Sequence, residues 1–591
     1  ACDDGTPVDA VQTKIALSRL STCAEVERHI EDQLVEESRR NVEDMKQYRD
    51  YGFGWGVDDG LAQPGNAEDG NGNGNGSGAP DRGDAPTDYT DTNTQEAGVD
   101  EADFVKTDGV RTFVLTGNRL YATQTWPPET LAVEGSMELE GNPREMFLTD
   151  DDQIVVFAHD WAEISGEPGR PGIPEDCWQW GCYGGRSFTR VTVVDASGAT
   201  LRKRYDLELN GDYRSSRRIG DSVRIVVGET IARPQGIRYW PDESSLDWND
   251  DAAWDAALDR MHERNVQLIR AADLTDFLPQ SVRVDDAGNE TVLERDCARF
   301  HVPNAPVPLG LTTLATLEVD FGTLHRTSVF GDAHTIYASE ATLYMGSNHW
   351  WWRPSSGQTT HTYVHAFDLS NDLAARYRGS FGVPGTLLNQ FSMDEHADHI
   401  RVATHVREFT FSMGDDWQPP RLTNRVTVFR KDAFGFTETG RTPDLAPNEQ
   451  IFSARMEGDR GFVVTFERVD PLFTLDLSDP SNPRVIGELK VPGFSTYIHF
   501  LDDDHLLTIG QHVPDASFPD APDEWGLKLT VFDVSNFANP TEKYVQYLGE
   551  GYSDASWDHK AFNYFPAKKT LAIPMARWTG GWDRFVSELQ L

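Results

Sequence analysis

A motif repeated at a fixed distance near the end of the chain constrains the fold more than any other feature. FTLDLSDPSNPRVIGELKVPG begins at Phe473 and LTVFDVSNFANPTEKYVQYLGEG begins at Leu529, and their Asp-x-Ser and Asn-Pro pairs align 57 residues apart without a gap. A third copy begins at His365, and a looser fourth lies near residue 427. A period of roughly 45–60 residues with about four strands per unit is typical of β-propeller blades.

The whole chain after Phe104 has the texture of short strands separated by turn residues. Runs rich in Val, Ile, Thr, Tyr and Phe end at Asp, Asn or Gly, which indicates strands of about five to seven residues. The period predicts an all-β propeller of about eight blades, with seven as the alternative count, each a four-stranded antiparallel sheet. The predicted units are 104–140, 141–210, 211–330, 331–384, 385–445, 446–492, 493–550 and 551–591.

Two of these units depart from the regular length. The third is oversized because residues 247–277 have helical spacing, which predicts a helical insertion on one face of the ring. The last unit, which stops at Leu591, has room for three strands, so either an N-terminal strand closes the ring or the chain is truncated there.

The first 91 residues are predicted to lie outside the propeller, which spans residues 92–591. Apolar residues recur at helical spacing between Val8 and Tyr48, and Ser21 or Thr22 with Glu25 predicts a capping box within residues 1–51, the anchor and helical segment. Residues 52–91 are rich in Gly, Asn, Asp and Pro with little to bury, which predicts a disordered acidic linker.

The charge of the chain excludes some partners. Its 53 Lys and Arg against 96 Asp and Glu give a formal charge of −43, whereas an electrostatic nucleic-acid binder needs a basic surface. We therefore expect no nucleic-acid partner. There is no run of 18 or more apolar residues, so we expect no transmembrane segment.

The five cysteines suggest a compartment. Cys2, near the first residue, is typical of a processed bacterial lipoprotein, so we expect lipidation of Cys2 and a secreted or cell-envelope location. The other four are an even number, which suits an oxidising compartment. Cys177 and Cys182 in CWQWGC favour a local disulfide. Cys23 and Cys297 could pair only if the N-terminal helix docks near residue 297.

Several long segments resemble an uncharacterised family of secreted bacterial and archaeal proteins with a C-terminal β-propeller, distantly related to WD-40 repeats. The segments are TNTQEAGVDEADFVKTDG, VPGTLLNQFSMDEHADHIRVATH, GDRGFVVTFERVDPLFTLDLSDPSNPRVIGELKVPGFSTYIH and YSDASWDHKAFNYFPAKKTLAIP. The resemblance implies the fold and a secreted location but supplies no activity and no catalytic residues. Relatives continue beyond the last residue of this chain, which favours C-terminal truncation.

A cluster of carboxylates precedes the first predicted strand. Glu96, Asp100, Glu101 and Asp103 would repel one another unless they bind a cation, accept hydrogen bonds or face solvent. One hypothesis is a calcium site formed by Glu96, Asp100 and Asp103 with backbone carbonyls. The other is that they accept hydrogen bonds from backbone amides where the linker enters the ring.

Polar residues at the start of several blades could face the central channel, where propellers commonly bind ligands. Two histidines there, His499 and His559, are the candidate general bases or metal ligands. The alternative is that these side chains only hydrogen-bond neighbouring blades. The predicted ligand-binding residues on the axis are Asn389, Gln390, Asp394, Glu395, Arg455, Tyr497 and Lys560.

Three consecutive tryptophans, Trp350, Trp351 and Trp352, follow His349. If exposed they would suit sugar rings or a protein partner, and otherwise they pack against a neighbouring blade or the insertion. The sequence therefore predicts a surface-anchored binding or scaffold module with a protein or carbohydrate partner. The alternative is an extracytoplasmic metal-assisted hydrolase or lyase with its site on the axis, since propellers host both.

Overall fold

The computed structural model describes residues 11, 14–48, 89–163, 185–198, 200–229, 231–241, 250–351, 357–370, 374–410, 419–433, 435–466, 469–518, 521–579 and 584–591. The predictions for Cys2, for the Cys177–Cys182 disulfide, for Trp352 and for nearly all of the linker at 52–91 lie outside the described residues.

The described residues form three α-helices and 36 strands. The helices are α1 (Cys23–Tyr48), α2 (Asp251–Ala271) and α3 (Leu274–Phe277). The strands up to residue 229 are β1 (Leu17–Arg19), β2 (Asp100–Glu101), β3 (Val105–Thr107), β4 (Arg111–Thr116), β5 (Arg119–Gln124), β6 (Ala132–Glu138), β7 (Asn142–Leu148), β8 (Gln153–Glu163), β9 (Gly185–Asp195), β10 (Arg202–Asn210), β11 (Asp212–Ile219) and β12 (Ser222–Glu229). Those up to residue 441 are β13 (Ser281–Asp285), β14 (Glu290–Leu293), β15 (Phe300–Pro303), β16 (Leu311–Glu318), β17 (Thr323–Phe330), β18 (Ala333–Ala338), β19 (Thr342–Asn348), β20 (His361–Asp368), β21 (Arg376–Pro384), β22 (Met393–His396), β23 (His399–Glu408), β24 (Arg421–Asp432) and β25 (Gly435–Arg441). The remainder are β26 (Gln450–Glu457), β27 (Arg460–Phe466), β28 (Val469–Asp476), β29 (Arg484–Pro492), β30 (Phe494–Asp502), β31 (His505–His512), β32 (Gly526–Asp533), β33 (Thr541–Gly549), β34 (Asn563–Phe565), β35 (Thr570–Thr579) and β36 (Arg584–Gln590).

These strands build a seven-bladed propeller. Blades 1 and 4 to 7 are the four-stranded sheets β3–β6, β18–β21, β22–β25, β26–β29 and β30–β33. Blade 2 is a six-stranded sheet and blade 3 a seven-stranded sheet. A three-stranded sheet, β34–β36, follows blade 7. The all-β propeller is confirmed, but the count of about eight blades is wrong, because the last unit (551–591) forms only this smaller sheet in the described residues.

The third predicted unit, 211–330, also differs from the structure. After α2 and α3 the chain returns to blade 2, where β13 pairs with β10 along Tyr205–Glu208. It then re-enters blade 3 through β15 and β16. The period in the sequence could not reveal this, because a strand added at the outer edge of a sheet has the same local pattern as a strand inside a blade.

Hydrophobic layers between consecutive blades form the core. Between blades 3 and 4, for example, Val226 and Leu314 meet Leu343 and Phe367, and equivalent layers lie between the other neighbours, the last between blade 7 and the three-stranded sheet. A central strand covered on both sides buries both of its faces. Residues Leu311–Leu317 are accordingly all buried, which explains the runs of apolar residues and threonine in such strands.

The Asp-x-Ser motif marks the turn after the third strand of a blade. In blades 2, 4, 6 and 7 the Asp side chain accepts hydrogen bonds from the backbone N–H and the hydroxyl of the Ser two residues later. This local turn satisfies backbone groups as the strand ends, so the repeated motif has a structural cause.

The N-terminal helix packs against the outside of blade 3. Helix α1 begins with the expected capping box, in which Glu25 N–H donates to Thr22 Oγ1 at 3.2 Å and Thr22 N–H donates to the Glu25 carboxylate at 3.3 Å. The same carboxylate also accepts from Ser21 N–H at 2.7 Å. Residues Leu17–Arg19 are not helical as predicted but pair with β15. A Cys23–Cys297 disulfide joins α1 to the propeller. Within the described part of the chain, no helix is long and apolar enough to cross a membrane.

Candidate functional site

The centre of the ring is occupied by residues 92–103, which we call the axial segment. Its strand β2 pairs with β11, the first strand of blade 3 in the ring. The Asn93 side chain donates to the carbonyl oxygens of His559 and Phe562 at 3.1 and 2.9 Å. The Gln95 side chain donates to those of Gln390 and Met393 at 3.3 and 3.0 Å. One short segment therefore links opposite sides of the propeller.

Glu101 is the central anion of this segment. Its carboxylate lies 3.9 Å from Arg217 Nη2 of blade 3 and 3.4 Å from His559 Nε2. It also accepts a hydrogen bond from Gln390 Nε2 at 3.3 Å. Burial alone would raise the pKa of Glu101, but Arg217 and His559 hold this pKa well below its usual range. Glu101 is therefore always ionised, and its carboxylate contacts side chains from three different parts of the ring.

The pKa values of two other carboxyl groups in the axial segment are raised rather than lowered. Burial, with a smaller contribution from the nearby Asp394, raises the pKa of Glu96 to about 7. Tyr337 of blade 4 donates to Glu96 Oε1 at 2.8 Å. Burial raises the pKa of Asp103 to about 6, although Lys560 and Lys106 oppose this shift. The axis thus holds acidic groups that titrate near neutral pH.

The residues of the predicted calcium site have separate partners. Glu96 accepts from Tyr337, Asp100 pairs with Lys106 at 2.7 Å and with Arg218 at 3.3 Å, and Asp103 accepts from the Phe104 N–H at 2.7 Å. Across the described ranges, no three His, Cys, Asp or Glu side chains are arranged to hold a metal ion. The calcium site stays a prediction, and so does the metal-assisted hydrolase or lyase.

Several residues predicted to line the axis form ion pairs with residues of the blades. Asp394 pairs with Arg401, whose Nε lies 2.7 Å from its carboxylate. Glu395 pairs with Lys431 at 2.5 Å. Lys560 donates to Glu145 of blade 2 at 2.9 Å.

The two histidines proposed as general bases are both buried. His499 packs against the rings of Phe562 and Tyr564, and burial lowers the pKa of His499 to about 4. It is therefore neutral at physiological pH. His559 faces Glu101 within the axial network.

A cavity of about 180 Å³ opens beside the axial segment, between blades 5, 6 and 7 and the loop before β34. Four of the predicted residues line this cavity: Asn389, Arg455, Tyr497 and His559. The apolar part of its wall includes Phe391, Ile451, Phe452, Ile498 and Trp557. Ser556 also lines it, and the buried Ser556 Oγ has no hydrogen-bond partner among the described residues.

The lining of the cavity combines charged, hydrogen-bonding and apolar groups. The Arg455 guanidinium lies 5.3 Å from the centre of the Phe391 ring and supplies a positive charge. Burial raises the pKa of the Tyr497 hydroxyl, so that this group stays neutral. Chemically, the site combines hydrogen-bonding groups and a cation with an apolar wall, which is the composition of a small-molecule pocket.

Some residues of the axis were missed at the sequence level. Arg217 lies in β11, which contains two further arginines, and Tyr337 lies in β18 among polar and apolar residues, so no local pattern distinguishes either residue as part of the axis. Trp557 and Ser556 lie between blade 7 and the three-stranded sheet, where the repeat period predicts no position for them. The axial segment itself was assigned to the entrance of the ring rather than its centre.

Comparison with known proteins agrees with this architecture. Residues 89–589 match the family described as Beta propeller domain. The chain belongs to this family. The match covers the axial segment, all seven blades and the three-stranded sheet, so this Beta propeller domain protein contains the segment as part of the family's domain.

Two curated relatives are similar to this Beta propeller domain protein over part of their length. An uncharacterized protein of Archaeoglobus fulgidus is 35% identical over 207 residues, which are 34% of this chain and 29% of that protein. An uncharacterized protein of Methanocaldococcus jannaschii is 33% identical over 192 residues, 32% of this chain and 28% of that protein. The chain thus spans less than a third of the length of these relatives.

Proposed function

We propose that this protein is a binding module that takes a small ligand, or a small group of a larger one, into the axial cavity. One observation carries the proposal: the axial segment fills the centre of the ring, yet a cavity of about 180 Å³ is left open beside it. An unpaired buried hydroxyl costs roughly 1–3 kcal/mol, and a ligand that hydrogen-bonds Ser556 Oγ would recover part of that cost.

The size of the cavity limits what enters it. Pockets for drug-sized ligands are larger, roughly 300–1,000 Å³. The proposed ligand group is therefore a single ring or a short chain, and the rest of a larger ligand would lie on the surface of the propeller.

The proposal includes a location outside the cytoplasm, with anchoring through Cys2. The Cys23–Cys297 disulfide supports it, because disulfides persist in oxidising compartments and are rare in the cytosol of most organisms. In this setting the blades would act as a rigid scaffold that displays the cavity at the cell surface.

The test is a fragment screen by ligand-observed NMR on the 591-residue chain. Ala555 lines the cavity and is fully buried, so Ala555→Leu fills part of the space, and Ser556→Ala removes the hydroxyl. The control is Ala287→Leu in an exposed turn. We expect fragments that bind the wild type and the control but not Ala555→Leu, with weaker binding to Ser556→Ala.

Unfolding midpoints in urea show whether each variant is folded, since overpacking can cost about 1–3 kcal/mol. If Ala555→Leu does not fold, the effect of Ser556→Ala on fragment binding tests the proposal by itself. Fragment binding that neither folded variant changes, or no fragment binding at all, would contradict the proposal.

A further inference from the structure

Part of the lining of the axial cavity lies towards one defined face of the propeller. Its lining includes the first residues of β26, from Gln450, and residues near the start of β30, from Thr496. In an antiparallel blade the first strand starts at the face where the second strand ends and the third begins. We call this side, where the first strands begin, the entry face.

Three exposed aromatic side chains lie on the entry face, and one of them, Trp557, lines the cavity. Trp557 lines the cavity and is 44% exposed, and it stacks on Tyr552, 40% exposed, with ring centroids 6.0 Å apart and planes 24° apart. Trp525, 59% exposed, directly precedes β32. Its neighbour Gly526 lies against Gly549, three residues before Tyr552. We call Trp525, Tyr552 and Trp557 the aromatic platform.

The platform is continuous with hydrogen-bonding groups inside the cavity. Ser556, next to Trp557, lines the cavity and has a buried hydroxyl without a hydrogen-bond partner among the described residues, and Asn389, Tyr497 and Arg455 line the same cavity. Flat apolar faces beside closely spaced donors and acceptors match a sugar ring, which has C–H groups on its faces and hydroxyls at its edge. Aromatic side chains with a polar surrounding are suited to such amphipathic contacts.

We propose that the cavity binds the terminal sugar ring of a neutral glycan and that the aromatic platform stacks against the rings that follow. This inference rests on the proposed function and names its ligand class. The single-ring volume of the cavity fits a terminal unit, and the exposed platform outside gives the next units a surface.

Other ligand classes fit less well. A quaternary ammonium group would suit aromatic rings, but the Arg455 guanidinium in the wall repels a cation. A polyanionic glycan would approach a chain with a formal charge of −43, which opposes association. An apolar peptide side chain would leave the Ser556 hydroxyl buried without a partner, at the cost given above.

The experiment is binding of the full chain to an array of neutral oligosaccharides, with sulfated glycans as a second arm. Cell-envelope polysaccharides and glycopeptides form further arms that distinguish the source of the glycan. The best neutral binder is then titrated by calorimetry into the wild type, Trp557→Ala, Tyr552→Ala and Trp525→Ala. The control is Phe321→Ala, since Phe321 is 72% exposed in the turn between β16 and β17, on the opposite face.

We expect neutral glycans to bind, with an affinity about tenfold weaker for Trp557→Ala because a ring-stacking contact is lost. Phe321→Ala should bind like the wild type. No binding of any neutral glycan, or equal affinity for the wild type and all three platform variants, would overturn the inference. If glycans fail to bind in this way but small fragments still bind the wild type and not Ala555→Leu, the proposed function remains supported and only the glycan inference is rejected. The two proposals can therefore fail independently.

Discussion

Replacing Glu96 by Gln should stabilise the protein at high pH and not at low pH. The pKa of Glu96 is raised from 4.5 to about 7, so the folded state binds a proton more tightly than the unfolded state. Stability from this group is complete below pH 4.5 and is lost as the pH rises through 7. At about 1.4 kcal/mol per pKa unit, the loss at pH 8 is at most about 3 kcal/mol.

Gln at this position keeps an oxygen that can accept from Tyr337, but it carries no charge that burial would penalise. We therefore expect Glu96→Gln to unfold in urea like the wild type at pH 5 and to be more stable by up to about 3 kcal/mol at pH 8. The exposed Glu129 provides the control, Glu129→Gln. The effect of pH on the other carboxylates is common to the variant and the wild type, so it cancels in the difference between their free energies of unfolding. Equal pH dependence of Glu96→Gln and wild type would refute a buried, neutral Glu96 on the axis.

Three further predictions concern the parts that hold the propeller together. Arg217→Met should lower the free energy of unfolding in urea by about 3–5 kcal/mol, because it leaves Glu101 buried beside fewer positive charges. The double variant Arg217→Met/Glu101→Gln should recover part of this loss. If Arg217→Met unfolds like the wild type, the proposed network around Glu101 is contradicted. Reduction of the Cys23–Cys297 disulfide should cost about 2–5 kcal/mol, measured as a lower Tm with dithiothreitol, and the reductant should lower the Tm of Cys297→Ser by less than that of the wild type; equal shifts of the Tm in the two proteins would argue against the bond. Phe367→Ala, between blades 3 and 4, should lose about 3–5 kcal/mol, and exposed Phe321→Ala close to none; equal effects would contradict the layered core.

The sequence was sufficient for the fold class because the blades repeat. Each blade buries both faces against its neighbours, so the strand pattern and the Asp-x-Ser turn recur with the blade period, as at Asp476 and Asp533. The repeat period gave a wrong prediction where consecutive strands do not belong to consecutive positions in the blades. Strands β13 and β14 extend blade 2 after a helical excursion, and no local signal distinguishes such a strand from the next strand of blade 3.

The candidate site was harder to predict, because its chemistry depends on pairings across the ring. Arg455 and Tyr497 were identified from their positions at the start of blades, and both line the cavity. Lys560 was grouped with them, yet its partner Glu145 lies more than 400 residues earlier in the chain. The axial segment determines which polar groups at the centre of the ring are paired. Its position could not be predicted, because the segment is not part of the repeat and its sequence has no periodic pattern.

A crystal structure of the chain would test the central claim most directly. We predict seven blades around residues 92–103, with Glu101 between Arg217 and His559, and an open cavity bordered by Arg455, Tyr497 and Trp557. Density that places residues 92–103 outside the ring, or side chains that fill the cavity, would contradict both the architecture of the axis and the binding function derived from it.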